Sequence, residues 1–219
     1  MSARTLGVDE AGRGPILGPM ALAAVAVDDA GAAELLRLGV QDSKRFGATL
    51  AGQRRRAELA EQIAAVADAR CVLVTVAAID AHTLQGRLNH LERAVADELL
   101  QALGTCPEDL VIADGAALFA PLRARYPRLH AVNDGEAAHP AVAAASILAK
   151  HARDQAFAAI AARYEPEFGK LGGGGYLNAP TRRFLDAYRA RHGDLPPEAR
   201  RSWGAPREPA QLPLGPAEP

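Results

Sequence analysis

Apolar runs and helical periodicities divide the chain into alternating segments. Thr5–Val8 reads as a short strand, and Met20–Val27 as a second, apolar one after a Gly/Pro-rich loop. Leu50, Leu59, Ile63 and Val66 recur at helical spacing among charges, which predicts a helix over 48–67. Cys71–Val76 alternates less and predicts a buried strand. An amphipathic pattern predicts a helix over 89–103. Leu110–Ala113 and the weaker Leu129–Val132 predict further strands, the first ending at Asp114-Gly115. Ala141–Tyr164 is Ala-rich and long, and Pro140 before it suits a first helical turn, where a missing N–H costs nothing. A glycine run, Gly172–Gly175, precedes a last helix over about 180–191. From Gly204 the Pro-rich chain shows no periodicity and predicts a disordered tail. There is no internal repeat. Strands first, then strands alternating with helices, predict a mixed-sheet α/β domain with a helical C-terminal portion.

Composition narrows the class without naming a partner. The 219 residues suit one domain, or two small ones, and 49% hydrophobic content is that of a globular protein. Aromatics are only 5%, so the core should be built from Ala, Val, Leu and Ile. No apolar run is long enough for a membrane span, and the start carries no signal-peptide pattern. Cys71 and Cys106 are too few and too isolated for a disulfide framework or a zinc site, so a reducing cytoplasm is the expected setting. A net charge of −1 makes no global case for nucleic acid. Arg54-Arg55-Arg56, Arg182-Arg183 and Arg200-Arg201 permit a polyanionic partner, although solvated helix faces account for most arginine pairs.

Acids at strand ends change this picture. Asp9 and Glu10 close the first strand, Asp114 closes a central one, and Asp134 and Glu136 fall in the loop before the long helix. Successive strand residues point to opposite faces. Asp9 and Glu10 therefore share one site only if Glu10 lies past the regular strand, and the glycines of Ala11-Gly12-Arg13-Gly14 would allow that turn. Several carboxylates without His or Cys form a hard-oxygen donor set suited to Mg²⁺ or Mn²⁺. Without a cation they would raise one another's pKa. Two such ions are the usual arrangement for in-line phosphodiester displacement. Any single acid here could instead be a turn or cap residue. Lys44, in the loop Asp42-Ser43-Lys44, suits a phosphate-bearing substrate, as do Ser146 and Lys150, one turn apart on the long helix. Lys150 could equally snorkel beside an Ala-rich core. Tyr176, after the glycine run, could stack on a sugar or base, or simply pack.

Taken together, "GVDEAGRGPILGPM" at 7–20, "DSK" at 42–44, "IADG" at 112–115, "PAVAAASILAKHARD" at 140–154, "GGGGY" at 172–176 and "TRRFLDAYRARHGDLPP" at 181–197 resemble ribonuclease HII, the type 2 ribonuclease H family. The resemblance spans nearly the whole chain in order. It implies an RNase H-like mixed β-sheet flanked by helices over 1–165, a helical substrate-binding extension over 166–204, and the tail over 205–219. It implies a cytoplasmic, monomeric endonuclease that cuts the RNA strand of RNA–DNA hybrids, or cuts 5′ to a single ribonucleotide in duplex DNA, leaving 3′-hydroxyl and 5′-phosphate ends. Such an activity belongs to ribonucleotide excision repair. By the same resemblance, Asp9, Glu10 and Asp114 match three of four metal-ligating carboxylates. The backbone of Gly12, Arg13 and Gly14 matches the segment that reads the ribose 2′-hydroxyl. Tyr176 matches the tyrosine stacking at the ribose–deoxyribose junction, and Lys44, Ser146 and Lys150 fall where phosphates would be held.

Two departures qualify the match. The fourth carboxylate is expected four residues before the proline that opens the long helix, a spacing that lands on Glu136 in Asn133-Asp134-Gly135-Glu136. Asp134 is the alternative and would need a two-residue insertion. A Pro and an Asp expected between Tyr176 and Pro180 are replaced by Leu177-Asn178-Ala179, which bears on substrate positioning. The tail "QLPLGPAEP" lacks the paired aromatics of a sliding-clamp motif. No Ser/Cys–His arrangement is present, so direct attack by water is expected. The alternatives are a carboxylate nuclease of the same fold acting on DNA structures, or a hybrid-binding module that does not cut.

Overall fold

The computed structural model describes residues 4–40, 46–47 and 49–203, apart from the side chains of Glu136 and Ala138. Five strands form one sheet: β1 (Thr5–Ala11), β2 (Met20–Val27), β3 (Asp68–Val74), β4 (Leu110–Asp114) and β5 (Leu129–Val132), in the order β3-β2-β1-β4-β5. β2 pairs antiparallel with both β1 and β3, whereas β4 runs parallel to β1 and to β5. The helices are α1 (Asp29–Arg37), α2 (Leu50–Val66), α3 (Val76–Leu84), α4 (Leu88–Ala102), α5 (Ala116–Phe119), α6 (Gly135–Ala138), α7 (Pro140–Phe168) and α8 (Ala179–His192).

The pleat sorts the core into two layers. Ala21, Ala23 and Val25 of β2 face α7, α2 and α1, packing with Ala141, Ala145, Ile147, Leu59, Ile63 and Leu35. Leu6 and Val8 of β1 and Leu22 of β2 face the other way, onto Ile79, Val95, Leu99 and Leu118. Alanines on α7 let the helix lie close to the sheet. At Gly7 the approach is closest: an added Cβ would fall 2.2 Å from the Ala141 carbonyl carbon. A third cluster joins Leu17 of the β1–β2 loop to Leu171, Phe184, Leu185 and Ala199. Tyr164, Phe168, Phe184 and Tyr188 pack there with ring centroids 5.0–6.3 Å apart, so the scarce aromatics concentrate where the C-terminal segment docks.

Several expectations need correcting. β1 continues to Ala11, with Glu10 paired opposite Leu22, so Glu10 lies inside the regular strand and not past it. β3 begins earlier than the apolar run and is not buried. It forms the sheet edge, with Val72 42% and Leu73 44% exposed, because one flank has no neighbouring strand. The acids placed in a loop before α7 instead flank or enter α6, a single helical turn. Helices α1 and α3 were not anticipated. Both are short, and their starts are set by side-chain caps, Asp28 on the Gly31 amide and Thr75 on the Ala78 amide, more than by apolar periodicity. The tail expected to be disordered lies outside the described residues.

Candidate active site

Parallel pairing of β1 with β4 aligns Val8 with Ala113, so the next residues, Asp9 and Asp114, stand side by side where that ladder ends. Asp114 ends its strand because Gly115 follows at φ 116°, a conformation open to glycine. One Asp114 carboxylate oxygen accepts from the Gly135 amide at 3.1 Å, which ties the turn carrying Asp134 and Glu136 to the strand end. Asp9 is 5% exposed. Its Oδ1 accepts from the Glu10 amide at 2.7 Å, and its carboxyl bonds the side chain of Ser146 on α7. Burial, then the Glu10 charge, push the Asp9 pKa up to about 8; Asp114 adds to this and the Ser146 bond opposes it. A buried carboxyl beside two others is stabilised by a proton or by a cation.

Glu10 takes the other face. The pleat sends Asp9 toward α7 and Glu10 toward α4, where its charge acts on Glu92. Glu92 is fully buried. Its Oε2 accepts from Arg13 Nη1 at 3.1 Å, while Oε1 has no partner among the described residues. Burial pushes the Glu92 pKa up to about 7 against the opposing charge of Arg13. The acids thus straddle the end of β1. Among the described residues no three His, Cys, Asp or Glu side chains stand close enough together to hold an ion as they are. Asp9, Glu10 and Asp114 nevertheless offer only oxygen donors, and the raised Asp9 pKa is what a divalent cation would relieve, so the donor set fits one.

Beside the acids, the loop after β1 is held from several sides. Arg13 Nη2 donates to Asn89 Oδ1 at 2.6 Å, adding to its pair with Glu92. Buried Arg200 donates from Nη2 to the Gly12 carbonyl (2.6 Å), from Nη1 to that of Arg13 (2.6 Å) and from Nε to that of Gly18 (3.0 Å). Trp203 Nε1 donates to the Gly14 carbonyl at 2.9 Å. Gly12 sits at φ 82°, and a Cβ there would fall 2.6 Å from Arg153 Cδ and Nε. A Cβ on Gly14 would fall 3.0 Å from Tyr176 Cε1. Tyr176 is 55% exposed beside that loop, and the Gly175 carbonyl accepts from the Ile16 and Leu17 amides at 3.0 and 3.1 Å. Arg153 Nη2 donates to the Leu17 and Gly174 carbonyls at 2.8 Å each, bracing the two loops together.

Of the residues singled out from sequence, Asp9, Glu10, Asp114, Ser146, Gly12, Arg13, Gly14 and Tyr176 therefore gather at one end of the sheet. Lys150 instead pairs with Asp154 one turn along α7. Asp134 caps α6 in the left-handed conformation (φ 59°, ψ 42°), exposed and without a side-chain capping bond. Lys44 and the Glu136 side chain lie outside the described residues. The arginine clusters are not wholly solvated: Arg56 is buried against the Gly47 carbonyl and Asp154, and Arg200 is 1% exposed. Glu92, Asn89, Arg153, Arg200 and Trp203 were missed. A charge at Glu92 within the apolar stripe of Leu88, Leu91, Val95 and Leu99 was a readable signal. Arg200 and Trp203 gave none, since they meet the loop across nearly the whole chain.

Residues 6–205 match the family model for Ribonuclease HII. The chain belongs to the ribonuclease HII family. Ribonuclease HII of Thermococcus sibiricus is 35% identical over 205 residues, 90% of this chain and 87% of that one. Ribonuclease HII of Pyrobaculum neutrophilum is 39% identical over 209 residues, 90% and 93% of the two chains. Among solved structures, ribonuclease H2 of Pyrococcus horikoshii superposes with a TM-score of 0.75 at 29% identity, covering 92% of this chain and 94% of that one. Ribonuclease HII of Archaeoglobus fulgidus, solved in complex with PCNA, gives 0.74 at 27% identity, covering 94% and 98%. The fold is thus α/β and RNase H-like, and ribonuclease HII is a metal-dependent hydrolase family with ribonuclease H activity.

Proposed function

We propose that this ribonuclease H hydrolyses the RNA strand of RNA–DNA hybrids and cuts 5′ to single ribonucleotides in duplex DNA, leaving 3′-hydroxyl and 5′-phosphate ends. The observation that carries the reading is the loop Gly12–Gly14, which follows Asp9 by three residues and whose Arg13 and Gly14 amides have no partner among the described residues. The acids alone would suit any phosphodiesterase. A glycine-walled loop next to them lets main chain approach a sugar closely enough to sense its 2′-hydroxyl.

Asp9 and Asp114 would hold Mg²⁺ or Mn²⁺ from one side of the β1 end and Glu10 from the other, its charge reaching Asp9 although it stays within the strand, with Glu136, or Asp134 from the same turn, as the fourth ligand. Bound there, divalent ions supply charge stabilisation for the attacking and leaving oxygens. Ser146 fixes the rotamer of Asp9, and the Gly135 amide fixes that of Asp114. Tyr176 offers a ring face to the sugar or base following the ribonucleotide, with Gly14 leaving it room. Lys150 and Lys44 would meet phosphates, Lys150 by exchanging Asp154 for the anion. The segment 166–204 would extend the duplex-binding surface beyond the sheet. The tail carries no paired aromatics, so we expect no sliding-clamp contact through it, unlike what the PCNA complex of the Archaeoglobus relative invites. The enzyme is expected to act as a monomer.

The test is cleavage in Mg²⁺ of a DNA duplex with one ribonucleotide beside its all-DNA twin. A single cut 5′ to the ribonucleotide, with the twin intact, is the expected result. Equal cutting of both would leave a DNA-directed carboxylate nuclease, and no cutting with intact binding would leave a binding module.

A further inference from the structure

The loop Gly12–Gly14 has all three of its carbonyls engaged by one distant segment. Arg200 takes those of Gly12 and Arg13, and Trp203 takes that of Gly14. A trans peptide is planar, so fixing where a C=O points also fixes the N–H of the next residue in the opposite sense. No peptide here is cis. Holding the Gly12 and Arg13 carbonyls therefore aims the Arg13 and Gly14 amides away from Arg200. Gly14 precedes Pro15, which has no N–H, so its carbonyl bond to Trp203 fixes the end of the loop. Among the described residues, neither the Arg13 nor the Gly14 amide has an internal partner.

The holding segment is itself anchored. Ala199 bridges Leu17, the Arg200 amide donates to the Ile16 carbonyl at 2.8 Å, and Gly18 donates to the Glu198 carbonyl at 2.8 Å. Asp80 at α3 accepts from the Arg201 and Ser202 amides at 2.9 and 3.0 Å. Arg200 also lies over the Trp203 ring, 5.0 Å from its centroid. A buried guanidinium costs desolvation, which pushes the Arg200 pKa down to about 10. A merely structural strut could avoid that cost with an apolar side chain, whereas three planar, fixed donors can orient successive carbonyls.

We infer that Arg200 and Trp203 are positioning residues that aim the Arg13 and Gly14 amides at the ribose, and so set discrimination between ribonucleotide and deoxyribonucleotide. This rests on the 2′-hydroxyl reading proposed above. Trp203→Phe keeps the ring and removes one donor. Arg200→Lys keeps the charge and removes the fork. Arg201→Lys, which disturbs the exposed contacts with Asp194 and the Leu195 carbonyl and leaves the loop carbonyls untouched, serves as control.

The experiment measures binding of the single-ribonucleotide duplex and of its all-DNA twin in EDTA, cleavage of the first in Mg²⁺, and the melting temperature of each variant. We expect Trp203→Phe and Arg200→Lys to lower the binding ratio about tenfold and kcat/KM by about ten- to a hundredfold, as misplacements of about an ångström do. Trp203→Phe should melt within a few degrees of the parent, and Arg201→Lys should keep the parent ratio. A high parent ratio left unchanged in both clamp variants would overturn the inference while sparing the 2′-hydroxyl reading. A parent ratio near one would overturn that reading and the clamp's role with it.

Discussion

The two halves of the site are built on opposite principles. At the strand ends, Asp9 is buried against Glu10 and Asp114, and its pKa stands near 8 because burial and like charges outweigh its bonds to Ser146 and the Glu10 amide. A few residues on, the loop at Gly12–Gly14 has each carbonyl satisfied, its arginine held by Asn89 and Glu92, and its glycines packed on Arg153 and Tyr176. The chemistry pole is left electrostatically hungry, which suits a site that recruits cations. The other pole, the loop proposed to read the ribose, is held from several sides, which would suit a site that discriminates one hydroxyl.

Breaking the first pole should have the largest effect. Asp114→Asn or Asp9→Asn should lower cleavage of a ribonucleotide-containing duplex by roughly a thousandfold or more, as loss of several kcal/mol of charge stabilisation implies. Duplex binding should stay within a fewfold by fluorescence anisotropy. Near-normal turnover of Asp114→Asn would show that this acid has no part in the chemistry.

Gly12→Ala attacks the second pole and should cost less. Its Cβ meets Arg153 in a positive-φ conformation, so about 1–3 kcal/mol of stability should be lost, read by urea denaturation. Cleavage should drop by about ten- to a hundredfold.

A third comparison uses pH on the metal-free protein. The Asp9 carboxyl titrates near 8 when folded, above its ordinary value of 3.8. It therefore favours the folded state below pH 4, and that contribution fades as pH rises through 8. Stability in EDTA should decline over this window by no more than about 6 kcal/mol, and Asp9→Asn should flatten the decline. Chemical denaturation across pH 5–9 measures it. A profile unchanged by Asp9→Asn would place the titration elsewhere. Glu92, with a pKa near 7, should add a smaller total decline of the same sign, which Glu92→Gln removes.

Legibility in the sequence followed the range of the interaction. β2 and β5 were readable to the residue, and α2, α4, α7 and α8 to within a turn or so at their ends, because period and caps are local. The acids stood out because their chemical type is unusual at strand ends. β3 was misplaced because its apolar run resembles a core strand, and exposure depends on where the sheet stops. Glu10 was misjudged for a similar reason: nothing local tells how far β1 pairs with β2. Which arginines are buried was not legible at all. Arg200 reaches the Gly12 and Arg13 carbonyls across 188 and 187 residues of chain, and only the folded sheet brings them together.

The most direct test of the division between the poles is a paired measurement on Asp9→Asn and Gly12→Ala. Each is assayed for binding of single-ribonucleotide and all-DNA duplexes in EDTA, and for cleavage in Mg²⁺. Asp9→Asn should lose cleavage and keep the preference for the ribonucleotide duplex, while Gly12→Ala should lose much of the preference and keep measurable cleavage. If Asp9→Asn erased the preference, or Gly12→Ala left it intact, chemistry and recognition would not be divided between the acids and the loop.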